Sequence, residues 1–69
     1  MRDETSPFER QFQIVMIRTA ADRMAGVQVT DFQIVFCAEM ASIISVTAFT
    51  LEELSDFDLG NLYLWMLRQ

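Results

Sequence analysis

Three observations predict an all-α fold, a small bundle of three to four helices. Helix-start grammar recurs along the chain, as Ser6-Pro7-x-Glu9, Thr30-x-x-Gln33 and Thr50-x-x-Glu53. In each, the first side chain caps backbone amides and the acid or amide three residues on reaches back. Glycine and proline number only three in 69 residues, so there is little material for the many turns of a β-fold. The long apolar run 30–51 also lacks the period-two alternation of a strand, because Ala38, Glu39, Met40 and Ala41 interrupt it.

The first helix is predicted over 7–25. Ser6 is its N-cap, Pro7 occupies the first helical position, and Gly26 is a natural stop. Phe8, Phe12, Val15, Met16, Ala20 and Met24 recur at three- and four-residue spacing and read as the buried face, which Ile14, Ile17 and Ala21 widen. Arg10, Gln11, Gln13, Arg18 and Asp22 fall largely elsewhere. The connection from Gly26 to Val29 is so short that the first two helices are predicted as an antiparallel hairpin.

The second helix is predicted over 31–46, with Val29 and Ile34 as a hydrophobic staple across its capped start. Glu39 is its single acid after Asp31. Two readings stay open for it: a polar strip with Gln33, Ser42 and Thr47, or a pair with an arginine of the first helix. A short third helix is predicted over 51–55, with Phe49 stapled to Leu54. A last one, over 59–68, starts from Asp58 as cap with Phe57 and Leu62 as staple. The polar segment 1–6 is read as a flexible lead, and the whole chain as one domain.

A chain this short buries only about 60% of the surface its unfolded form exposes. The sole cysteine, Cys37, rules out an internal disulfide, and the absence of histidine leaves no Cys/His zinc set. With 52% hydrophobic residues, some apolar side chains are expected on a contact surface rather than in the core. The net charge of −5, with five arginines as the only basic residues, argues against nucleic acid as a partner. A polar start without an apolar run, together with a free thiol, fits a cytoplasmic protein.

No reaction is named by the residues. Glu52, Glu53, Asp56 and Asp58 are explained by helix starts. A calcium loop counted from Asp56 puts Asn61 where glycine belongs and Leu67 where glutamate belongs. Cys37 sits among apolar neighbours and reads as a small core residue. No catalytic, cofactor or metal site is expected. The run 32–51 has the length of a bilayer span, but Glu39 lies within it, helix starts mark its edges, and basic flanks are missing on its C-terminal side.

The expected contact surface lies on the last helix and an uncovered face of the second: Leu62, Tyr63, Trp65, Met66 and Arg68, with Met40 and Ile44. Ile43, Ile44, Thr50, Leu51, Glu52, Glu53, Leu54, Asp56, Asp58, Leu59 and Leu62 also follow a pattern of a helix, a threonine-led E-E-L turn and a step into a last helix. In this closing third the chain resembles the small tail-assembly chaperones of tailed bacteriophages. That resemblance implies a non-enzymatic protein that binds apolar segments of another protein before assembly. The expected function is therefore a protein-binding module that self-associates, most simply as a dimer, or binds another chain. The alternatives are a small inhibitor or adaptor docking on an enzyme or regulator, and a membrane-associated subunit anchored by 32–51.

Overall fold

The computed structural model describes residues 6–69, and the predicted flexible lead falls outside them except for Ser6. Among the described residues the secondary structure is entirely helical: α1 (Pro7–Ala25), α2 (Asp31–Met40), a 3-10 turn (Leu51–Glu53) and α3 (Asp56–Leu67). The start of α1 is built as its capping residues dictate, with the Glu9 N–H donating to Ser6 Oγ at 3.1 Å. Gly26, at φ 74°, closes the helix by donating its N–H to the Asp22 carbonyl. Thr30 and Gln33 form the full reciprocal box at α2.

α2 ends at Met40, six residues before the predicted limit. The Ile43 N–H donates to the Ala38 carbonyl (2.8 Å) and the Ser42 N–H to the Glu39 carbonyl (3.0 Å). That pair of bonds is a Schellman stop, whose C′ residue takes left-handed backbone. Here the residue is Ser42, at φ 63°. Thr47 Oγ1 then donates to Glu39 Oε2 at 2.7 Å, pinning the outgoing chain. Glu39 therefore belongs to the polar strip and not to an arginine pair. The apolar run 32–51 is α2 from its second residue onward plus a turning connection, and no helix among the described residues is long and apolar enough to cross a membrane.

The third and last helices are separate. Only Leu51–Glu53 turn, as 3-10, and Leu54 is extended. The Glu53 carboxylate accepts the N–H groups of Phe49 and Thr50. The cap of α3 is Ser55, whose Oγ accepts the Asp58 N–H, so α3 starts three residues earlier than predicted and the Phe57–Leu62 staple does not form around an Asp58 cap.

α1 packs chiefly along α3 and meets α2 over less of its length, so a hairpin of the first two helices is not what organises the bundle. One core joins all elements: Ile14, Ile17 and Ala21 of α1; Ile34, Val35 and Ala38 of α2; Ile44 and Ala48 of the connection; Leu51 and Leu54; and Leu59, Leu62 and Met66 of α3. The face of α1 predicted as buried is thus displaced. Phe8, Phe12, Val15 and Met24 stand exposed, while the residues taken to widen that face form the seam. The slimmer Ile14, Ile17 and Ala21 let α3 approach more closely than phenylalanines would, and helical spacing alone cannot distinguish two apolar stripes on one helix.

Two arginines of α1 tie down the segment between α2 and α3. Arg10 donates to Asp56 Oδ1 (2.6 Å) and to the carbonyls of Leu54 (2.8 Å) and Glu52 (3.1 Å). Arg18 grips both oxygens of Asp31 at 2.9 and 2.7 Å and reaches Glu52 at 3.1 Å. Asp31 Oδ2 also accepts the Leu51 N–H at 3.1 Å. One carboxylate therefore links α1, α2 and the 3-10 turn.

Candidate protein-binding surface

Successive residues of an α-helix are turned by about 100°. On that geometry Phe8, Phe12 and Val15 lie on the side of α1 opposite Ile14, Ile17 and Ala21, and Phe8 is 86% exposed. The same arrangement recurs on α2, where Phe32, Phe36 and Met40 form an i, i+4, i+8 ridge opposite Ile34 and Ala38. On α3, Phe57, Leu64 and Leu67 face away from Leu59, Leu62 and Met66. Each helix is apolar on two sides, and the bundle covers only one of them.

Ring contacts order parts of this surface. Phe49, from the connection, stacks on Phe32 with centroids 5.7 Å apart and planes at 20°, and Phe32 lies 6.3 Å from Phe36. Phe12 meets Tyr63 edge-on at 6.5 Å, bridging α1 and α3. Offset and edge-on aromatic pairs are favourable beyond the area they bury, which favours this arrangement of the rings.

A cleft of about 300 Å³ opens where the end of α1, the middle of α2 and the end of α3 converge. Its walls are Met24, Val29, Ile34, Cys37, Trp65 and Met66 together with the small Ala21 and Ala25, and Gln33 is the one polar side chain among them. Asp22 Oδ1 accepts the Val29 N–H at 2.9 Å, fixing the loop that forms one rim. A lining of this kind suits an apolar side chain and offers a polar ligand little beyond Gln33. Cys37 is exposed here and is not the small core residue expected, because the helical turn of about 100° per residue rotates it off the buried strip of Ile34, Val35 and Ala38.

The residues predicted for contact divide. Trp65 and Tyr63 are half-buried, Trp65 in the cleft and Tyr63 against Phe12. Met40, 72% exposed, belongs to the α2 ridge, and Arg68 is exposed at the end of α3. Leu62 and Ile44, at 0% and 4% exposure, are core residues and leave the candidate surface. Met66 is also buried, at 5% exposure, and reaches the surface only where it lines concavities such as the cleft. Phe32, Phe36, Phe49 and Met24 were not expected on the contact surface; Met24 was read as part of the buried face of the first helix and Phe49 as a staple to Leu54. The available signal was the number of apolar positions on α1 and α2, which exceeds what one helix face holds.

Electrostatics confine charge to the frame of the site. Asp31 is held below the usual carboxylate range, first by the Arg18 hydrogen bond and then by the Leu51 N–H, against burial acting the other way. Arg18 is correspondingly pushed upward by Asp31 and Glu52. The acids near α3 have structural roles: Glu52 pairs with Arg18, Glu53 accepts two amides, Asp56 pairs with Arg10, and Asp58 sits in the first turn. Among the described residues no group of three or more cysteine, aspartate or glutamate side chains is placed to hold a metal ion.

Compared with known proteins, the chain matches no family model, no curated protein and no solved structure.

Proposed function

We propose that this protein is a non-enzymatic protein-binding module that self-associates, binds another protein through apolar helix faces, or does both. The observation that carries the reading is the second apolar side present on every helix, together with the apolar cleft beside Trp65. Exposed apolar patches of this extent on a soluble domain mark contact surfaces. The cleft takes one or two apolar side chains of an amphipathic segment, and its methionines adjust to different shapes. Within this class, the assembly-chaperone role implied by the resemblance of the closing third gives such a surface a use, namely shielding the apolar segments of a partner before assembly. An exposed free thiol at Cys37 fits a reducing, cytoplasmic setting.

Trp65 is the only tryptophan and lines the cleft, so its emission reports on occupancy. Titration with a panel of amphipathic helical peptides is expected to give a saturable blue shift, abolished by Met24→Glu, which places a charge at the rim without touching the core. Absence of any response across the panel, or an unchanged response in Met24→Glu, contradicts the cleft as the binding site.

A further inference from the structure

We propose that the cleft beside Trp65 is a binding site for a soft monovalent metal ion of the copper(I) class, held by Met24, Cys37 and Met66. The site shares its walls with the protein-binding reading above but does not rest on it.

Sulfur gathers at this one place. Of the four described methionines, Met24 and Met66 line the cleft, and Met16 joins them around the adjoining recess of about 190 Å³. The sole cysteine of the chain, Cys37, lines the same cleft. Each helix thus contributes one sulfur: Met24 from α1, Cys37 from α2 and Met66 from α3. Core packing accounts for Met66, at 5% exposure, but not for Met24 at 53% or for the exposed Cys37. A methionine side chain is unbranched and turns about three bonds. Met24 is therefore free to bring its sulfur over the cleft, and Cys37 is open to an incoming ion.

Donor chemistry selects the kind of ion. Thiolate and thioether sulfur favour soft ions such as copper(I), whereas magnesium, calcium and manganese take oxygen, and zinc takes imidazole or several thiolates. The described lining holds no carboxylate, and the chain has no histidine. Acids nearby are engaged, since Asp22 accepts the Val29 N–H and Asp31 is gripped by Arg18. Gln33 Oε1 accepts the Thr30 N–H.

Charge selects the valence. A charge brought among apolar walls is costly unless it is paired there. As the sulfur–metal bond forms, Cys37 Sγ releases its proton to solvent. The thiolate then cancels one positive charge, and the two thioethers add none. A monovalent ion leaves the site neutral, while a divalent one leaves net positive charge among apolar side chains. Trp65 adds an indole to the lining, the aromatic group that attracts cations most strongly.

The test is titration of the full chain with silver(I) nitrate, a soft monovalent ion stable in air, in chloride-free buffer. Trp65 emission and mass spectrometry are the readouts. The wild type is expected to bind one ion per chain, with quenching of Trp65, release of one proton and a higher Tm by mass action. The methyl NMR signals of Met24 and Met66 are expected to shift, while that of Met40, outside the cleft, stays in place. Cys37→Ser and Met24→Leu are each expected to weaken binding at least about 10-fold, the loss that even an outer-shell partner of a metal brings. Met66→Leu is expected to match Met24→Leu, with circular dichroism as a check on its folding, and Met40→Leu to bind as the wild type does. Binding lost in Cys37→Ser but unaltered in Met24→Leu, without methyl shifts, overturns the proposal by reducing the site to a thiol adduct. One ion shared between two chains overturns it too, as does zinc(II) competing on equal terms with silver(I). The peptide titration at Trp65 is carried out without metal and decides the protein-binding reading separately.

Discussion

Ser42 shows how a single residue sets the length of an element. A left-handed backbone at a non-glycine residue costs on the order of 1–2 kcal/mol, and Ser42 adopts one because the Schellman bonds at Ala38 and Glu39 need it. Glycine there removes the strain but adds freedom to the unfolded chain. Ser42→Gly is therefore expected to stabilise the fold by about 0.5–1 kcal/mol, read as a higher Tm in a thermal melt. Asp31 works in the opposite sense, since its carboxylate is the shared acceptor for Arg18 and Leu51. Asp31→Ala is expected to destabilise by about 2 kcal/mol in urea titration, in line with charged hydrogen bonds that are partly buried. The pH dependence has a definite sign. The folded value is depressed, so the stabilisation is fully present above the unfolded carboxyl value near 3.9 and is lost as pH falls through the folded value. Melts from neutral pH to about pH 2 are expected to lose that acid-sensitive component in Asp31→Asn. Neither residue was legible as decisive. Ser42 carries no glycine signal, and Asp31 reads as an ordinary acid in a first helical turn.

At the scale of elements, capping chemistry was the most legible feature. Ser6, Thr30 and Gly26 stand where their side chains or backbone freedom place them, and α1 keeps its predicted limits. Ends that depend on tertiary contacts were less legible. α2 stops early because the chain must turn to bury Ile44 and Ala48, and the 3-10 turn is short because Arg10 takes the Leu54 and Glu52 carbonyls that a longer helix would use internally. Arg10→Met keeps the side-chain stem and removes those bonds. It is expected to cost about 1–2 kcal/mol and to speed amide hydrogen exchange at Glu53 and Leu54, with the amides of α2 unaffected. Arg10 was grouped with the outward polar residues, yet it lies beside Ile14 and Ile17 on the inner side of α1.

For the molecule as a whole, the core is small. By the usual range per residue, a chain of 69 residues has roughly 3–10 kcal/mol of stability. Leu62 is fully enclosed among residues of that core, so Leu62→Ala is expected to remove about 3 kcal/mol, a large share of the total, in denaturant unfolding. A contact residue at that position would instead change association and leave unfolding nearly unaltered. The contrast with Met24→Glu, which lies outside the core, separates stability from binding across the molecule.

The amino-acid sequence by itself determined that this protein is helical, where most helices begin, that it holds no internal disulfide, and that it has more apolar side chains than so small a body encloses. These follow from local chemistry, because a cap, a left-handed glycine and a helical spacing act within a few residues. Only the tertiary structure decided which apolar stripe is inside. Ile14, Ile17 and Ala21 took the seam with α3, and the aromatic stripes of α1 and α2 were left outward. Two apolar stripes on one helix have the same period and similar hydrophobicity. The choice between them rests on how closely neighbouring helices approach and on where Arg10 and Arg18 find their acceptors, which are long-range matters of fit.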